Sequence, residues 1–208
     1  MPSTHAAGFP SNDNNTVYLM SSKAFQFKTL DIVQIALFAA IMAALGLIPK
    51  IDITANLPIT AQSMGVMLAG IIIGKRNGFF AIFVFTLLAL AGLPLLAGGR
   101  GGLGLLGTGT AGFIIGYPIA TFATGLIFEM MKKLSLPVAT FLGSVLGGIV
   151  VLYAIGVPGL ALNTSLSLAD ATVAMLPFIP GDLIKAVLTT LIVMSIARGL
   201  PEQFAHRR

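Results

Sequence analysis

The sequence predicts an all-α integral membrane protein with six transmembrane helices and both termini in the cytoplasm. Three observations carry this expectation. Of 208 residues, 56% are apolar and only 9% charged, against roughly 25% charged in soluble domains; the mean hydropathy is +0.97, and so few charges cannot cover a water-facing surface. Six apolar stretches, near 32–49, 58–74, 78–97, 108–131, 136–160 and 172–198, approach the roughly 20 residues that a helix needs to cross the hydrocarbon core. Finally, the basic residues alternate in side. Lys23 and Lys28 precede the first stretch, Lys75 and Arg76 join the second to the third, Lys132 and Lys133 join the fourth to the fifth, and Arg198, Arg207 and Arg208 follow the sixth. The intervening connections hold only Lys50 and Arg100, with Lys185 inside the sixth stretch. Basic loops stay cytoplasmic, and an even number of spans puts both ends there.

The same inventory excludes several functions. There is no cysteine, and the two histidines, His5 and His206, lie outside every apolar run. Thiol chemistry, a histidine-dependent hydrolase and a metal centre therefore lack their parts, and neither a catalytic nor a metal site is expected. No G-x-x-x-x-G-K-[ST] pattern occurs, so ATP hydrolysis by that route is excluded. The net charge of +5 reflects topology rather than a basic face for nucleic acid.

Element by element, residues 1–28 are polar, rich in Asn, Ser and Thr, and read as a disordered tail; 29–200 form the membrane domain; 201–208 are a basic C-terminal tail. In the first span Ala36, Ala39, Ala40, Ala43 and Ala44 follow helical spacing and make a small-residue face, suited either to internal packing or to docking another membrane protein. The connection 50–62 is polar. The connection 98–112 packs eight glycines around Arg100. Residues 156–181, with several prolines and glycines, read as a third outer connection, and Pro177 and Pro180 place the start of the last regular helix near Gly181. Polar chemistry thus concentrates on the outer face.

Candidate ligand-binding residues follow. Asp182 and Lys185 are three apart and share a helix face. Ionisable groups at membrane depth need a partner or an aqueous cavity, so they form either a self-neutralising pair, with Asp182 capping the helix, or a clamp for a small polar ligand. Arg100 suits a carboxylate, held through two parallel bonds, or is a solvated loop residue. Thr60 and Gln62 would point to one side if extended, or cap a helix. Tyr117 either stacks on a ligand or packs at the interface. Glu129, near Lys132 and Lys133, reads as part of a solvated charge cluster.

These residues carry a resemblance to the BioY family, the biotin-specific substrate-capture (S) components of energy-coupling factor (ECF) vitamin transporters. Pro58-Ile59-Thr60-Ala61-Gln62 is similar to the family's P-x-T-x-Q. Gly92-Leu93-Pro94 runs into Gly98-Gly99-Arg100-Gly101-Gly102 as in the family. Thr110 to Tyr117 resembles T-G-G-Y-L-I-G-F, with Phe113 where a tyrosine is usual. Pro177 to Lys185 resembles P-F-L-P-G-D-x-x-K. The resemblance implies a six-helix bundle with a cavity open to the outer face, biotin as ligand and no further cofactor, in a bacterial-type inner membrane. It implies biotin contacts from Thr60, Gln62, Arg100, Tyr117, Asp182 and Lys185. It also implies that Ala36, Ala40 and Ala44 dock onto a transmembrane coupling subunit, with two ATPase subunits supplying energy, so that the chain itself is not an enzyme. The alternatives are an S component for thiamine or riboflavin, which call for more aromatic stacking than a chain with no tryptophan and three tyrosines offers, and a membrane assembly subunit without a ligand.

Overall fold

The computed structural model describes residues 27–54, 57–200 and 204, with the side chains of 51–59 outside the description. The order is α1 (Thr29–Leu45), a hairpin of β1 (Ile51–Thr54) and β2 (Leu57–Ile59), α2 (Gln62–Ile72), α3 (Gly74–Leu90), α4 (Ala111–Met130), α5 (Leu136–Val145), α6 (Leu152–Thr164), α7 (Leu168–Met175) and α8 (Ile179–Gly199). A π-helical segment, Leu146–Val151, fuses α5 to α6, and a 3-10 turn, Leu176–Phe178, fuses α7 to α8. The fold is thus all-α and multi-pass, with one small antiparallel hairpin paired Ile51 to Ile59 and Thr54 to Leu57.

Helical runs Ala111–Met130, Leu136–Thr164 and Leu168–Gly199 are long and apolar enough to cross a membrane, and Thr29–Leu45 and Gln62–Ile72 are shorter apolar helices. Their outer faces are apolar as well: Ile115 and Ile119 on α4, and Ile184, Leu188 and Leu191 on α8, are exposed. In water such faces would drive association; in lipid they are already solvated. The interior mixes large apolar side chains such as Phe85, Met42 and Ile82 with small and hydroxylated residues such as Ala69, Thr121 and Thr124. Helix α2 is its centre, with Val66, Met67 and Ala69 fully buried and contacts to α3, α4 and α8. Where α2 and α3 cross α4, a Cβ on Gly125 would lie 2.6 Å from the Gly70 carbonyl oxygen and 2.6 Å from the Lys75 nitrogen. Thr121 and Thr124, buried at the same crossing, return their hydroxyls to the Tyr117 and Ala120 carbonyls at 2.8 Å, so neither hydroxyl needs a partner on a neighbouring helix.

Two expectations need correction. Residues 156–181 are not a connection: α6 runs to Thr164, α7 begins at Leu168, and only 165–167 separate them. Pro158 lies inside α6, where packing against neighbouring helices compensates the lost backbone bond. The last helix starts at Ile179, with Pro180 in its first turn, where a missing N–H costs nothing. The tail expected at 1–28 lies outside the described residues as far as 26; Phe27 packs edge-on against Phe80 at 5.1 Å and beneath Arg76 at 4.3 Å. Of 201–208 only Phe204 is described, and it is buried with its ring edge to Phe128.

The crossing makes a sharp prediction. Gly125→Val should destabilise the detergent-solubilised protein by about 2–3 kcal/mol, because backbone rather than a flexible side chain must yield. Gly104→Ala, which meets nothing within 4 Å, should stay within about 0.5 kcal/mol. Thermal unfolding of both variants checks the contrast.

Candidate functional site

A cavity opens where α2, α4 and α8 begin, with α6, the end of α7 and the glycine-rich connection completing its wall. The space between its lining residues is about 620 Å³ when the part open to solvent is counted, of which about 70 Å³ admits the centre of a water molecule. All six candidate ligand-binding residues, Thr60, Gln62, Arg100, Tyr117, Asp182 and Lys185, line it. Gln62, Tyr117, Asp182 and Lys185 sit within the first two turns of α2, α4 and α8, Thr60 just before α2, and Arg100 in the glycine-rich connection.

The polar centre is a four-residue network. Lys185 Nζ donates to Asp182 Oδ1 and to Ser63 Oγ, both at 2.9 Å. Ser63 Oγ donates to the same Oδ1 at 3.4 Å, and Tyr153 OH donates to Asp182 Oδ2 at 2.5 Å. The Lys185 and Asp182 side chains are 14% and 11% exposed. Asp182 sits in the first turn of α8, where the helix dipole favours a negative charge, but no side chain caps that helix; the carboxylate faces the network instead of the backbone. Both sequence readings of this pair therefore meet: it neutralises itself and it lines a cavity.

The network leaves a defined remainder. A carboxylate offers about four acceptor sites and an ammonium three donors. Asp182 Oδ1 takes two donors and Oδ2 takes one, while Lys185 spends two of its protons. One acceptor and one donor thus stand open on adjacent turns of one helix. That combination complements the neighbouring N–H and C=O of an amide or a cyclic urea.

The walls are apolar and aromatic, with Leu96, Ile114, Leu152 and Met175 beside Phe113, Tyr117, Tyr153 and Phe178. Phe113 meets Tyr153 edge-on at 6.0 Å. Four rings line the cavity, so the tyrosine and tryptophan count alone does not argue against a stacking ligand. Tyr117 is buried and, like Thr60, lines the cavity.

The glycine-rich connection is ordered. Leu96 and Arg100 pair their backbones at 3.0 and 3.1 Å, closing a turn in which Gly98 and Gly99 take φ of 79° and 68°, values that disfavour other residues. Arg100 Nε donates to the Ala97 carbonyl at 3.2 Å, and its Nη groups have no hydrogen-bond partner among the described residues. Gln62, 1% exposed, opens α2 rather than an extended strand and caps nothing. Its amide donates to the Met42 carbonyl at 3.3 Å and the Leu95 carbonyl at 3.0 Å, and accepts from the Ala97 N–H at 3.2 Å.

Ser63 and Tyr153 were missed in the sequence. Ser63 follows the Thr60–Gln62 motif directly, a signal that spacing could have used. Tyr153 had none, because its aim depends on the π segment just before it. Glu129 lies elsewhere and pairs with Lys75 at 2.7 Å, both side chains about one-third exposed, so its partner is neither Lys132 nor Lys133. On α1, Ala36, Ala40 and Ala44 are exposed, while Ala39 and Ala43 pack against the core.

Residues 19–202 match the model of the BioY family. The chain is 44% identical over 182 residues to the biotin transporter BioY of Rhodobacter capsulatus, covering 83% of this chain and 96% of that one. It is 37% identical over 174 residues to a probable biotin transporter BioY of Bacillus subtilis, covering 83% and 93%. A crystal structure of the S-component for biotin from an ECF-type ABC transporter superposes with a TM-score of 0.76 at 28% identity, over 83% of this chain and 95% of that one.

Removing one member of the buried pair should cost more than removing both. Asp182→Ala should lower stability by about 3 kcal/mol, leaving Lys185 charged and unpaired, and adding Lys185→Met should recover part of that loss. Chemical or thermal unfolding of the single and double variants reads the difference.

Proposed function

This chain belongs to the BioY family, and from that premise we propose that it captures biotin as the substrate-specific component of an ECF-type transporter in a bacterial inner membrane. It is a binding subunit and not an enzyme. The observation that carries this reading is the open acceptor and donor left by the Asp182–Lys185 network in a cavity whose walls are largely apolar and aromatic, with Arg100 also lining it. Biotin's ureido ring presents N–H donors beside a carbonyl acceptor, its thiophane and chain are apolar, and it ends in a carboxylate. Asp182 Oδ2 takes a ureido N–H, the third Lys185 proton goes to the ureido carbonyl, and the Nη groups of Arg100, without a hydrogen-bond partner among the described residues, take the carboxylate. Thr60 and Tyr117 line the path between these groups, and Gln62 borders it.

The alternation of basic connections supports six spans, cytoplasmic termini and a cavity open to the outside. Thiamine carries a positive charge and no urea, so it meets Lys185 and Arg100 unfavourably. Riboflavin's isoalloxazine does offer an imide edge, and the four aromatic rings suit it, but it has no carboxylate for Arg100.

Transport requires partners that supply energy. The exposed Ala36, Ala40 and Ala44 form a stripe over which another helix can approach closely, and we assign it to the coupling subunit, with two ATPase subunits bound to that partner in turn.

Two measurements check this. Ligand that binds only the folded state stabilises it by about 2.7 kcal/mol at a hundredfold excess over Kd. Biotin should therefore raise the unfolding temperature of the purified protein while thiamine and riboflavin leave it unchanged, and Asp182→Asn should abolish the shift. Ala40→Trp should retain biotin binding but no longer co-purify with the coupling subunit; retained co-purification would remove the docking assignment.

A further inference from the structure

We propose that Gln62 is a positioning residue for Arg100 and acts on the carboxylate end of the ligand without holding the ligand itself. Each polar atom of its amide is already engaged by backbone: Nε2 with Met42 and Leu95, Oε1 with the Ala97 N–H. It is 1% exposed, so its contact with the cavity is a wall contact. The backbone groups that it holds belong to two other segments, the end of α1 and the turn that presents Arg100.

The linkage from amide to guanidinium is short. Ala97 gives its N–H to Gln62 and its carbonyl to Arg100 Nε, at 3.2 Å in each case. The same turn is closed by the Leu96–Arg100 backbone pair. A shift of Ala97 therefore moves both the anchor of the arginine side chain and the hairpin at whose foot it stands. Gly46 makes room for the staple, because a Cβ there would lie 2.2 Å from the Leu95 carbonyl oxygen and 2.9 Å from Gln62 Nε2.

A wall contact affects all ligands of one shape alike, whereas a residue that places Arg100 matters only for a ligand with a carboxylate. This distinction rests on the assignment of that carboxylate to Arg100. Equilibrium binding of biotin and of biotinol, in which a hydroxymethyl group replaces the carboxylate, separates the cases in detergent-purified full-length protein. Gln62→Met should weaken biotin about tenfold, the scale of one hydrogen bond to a charged group, and leave biotinol within about twofold. Arg100→Gln should show the same selectivity, and the double variant should bind biotin no more weakly than Arg100→Gln alone, since residues acting through one contact are not additive. If Gln62→Met does not fold, Gly46→Ala carries the test with the same two ligands, displacing the Leu95–Ala97 turn while keeping the amide. Equal losses for biotin and biotinol in the Gln62 or Gly46 variant, beside a selective Arg100→Gln, would overturn the positioning role and leave the carboxylate assignment standing. A non-selective Arg100→Gln would overturn both, and wild-type protein that binds neither ligand would overturn the biotin reading itself.

Discussion

The structure depends on how a charged pair is kept at the head of a helix in a chain otherwise built for lipid. Asp182 and Lys185 are together only because α8 stacks them one turn apart, and they are tolerable only because Ser63 from α2 and Tyr153 from α6 supply further hydrogen bonds. Burying a charge without such partners costs several kcal/mol. The network therefore fixes the relation of three helices at the cavity. The reason that it is useful is the same as the reason that it is stable: it satisfies most of the pair's hydrogen-bonding capacity and leaves one acceptor and one donor on adjacent turns.

The rest of the bundle serves that placement with the means available in lipid. Apolar burial gives little preference for one helix contact over another, so backbones are brought close at Gly70 and Gly125, and threonine hydroxyls are folded back on their own helices. The π segment between α5 and α6 carries Gly147 and Gly148, which admit Thr124 and Met67, and shifts the helix register just before Leu152 and Tyr153. Such insertions recur at functional positions, and here one side chain turned into the cavity is the Asp182 partner. On the other side, Gln62 performs with a neutral amide what Ser63 and Tyr153 do for the charge: it makes backbone groups of separate segments depend on one side chain.

Much of this was legible in the chain. Apolar length gave five of the helical stretches to within four residues at each end, but carried the third to 97 where α3 stops at Leu90, because the Leu- and Ala-rich start of the outer connection reads as more span. The Asp182–Lys185 spacing gave the pair, and the four short motifs gave the family. Other features rest on packing that no local pattern reports. Residues 156–181 carry prolines and glycines that suggest a connection, yet neighbouring helices keep most of them helical. The glycines around Arg100 suggest mobility, whereas the Leu96–Arg100 pair and the Gln62 amide order them. Tyr153 lies in an apolar run with nothing beside it in sequence to mark it; only the register change before it and the packing of the bundle bring its hydroxyl to Asp182.

The site assignments all depend on the proposed orientation of the ligand. A structure of the purified chain with biotin bound tests it most directly. The ureido ring should lie within hydrogen-bonding distance of Asp182 Oδ2 and Lys185 Nζ, with the carboxylate at the Nη groups of Arg100 and the Gln62 amide still on Met42, Leu95 and Ala97. Biotin reversed in the cavity, with its carboxylate on Lys185, or bound away from the α8 pair altogether, would contradict the account.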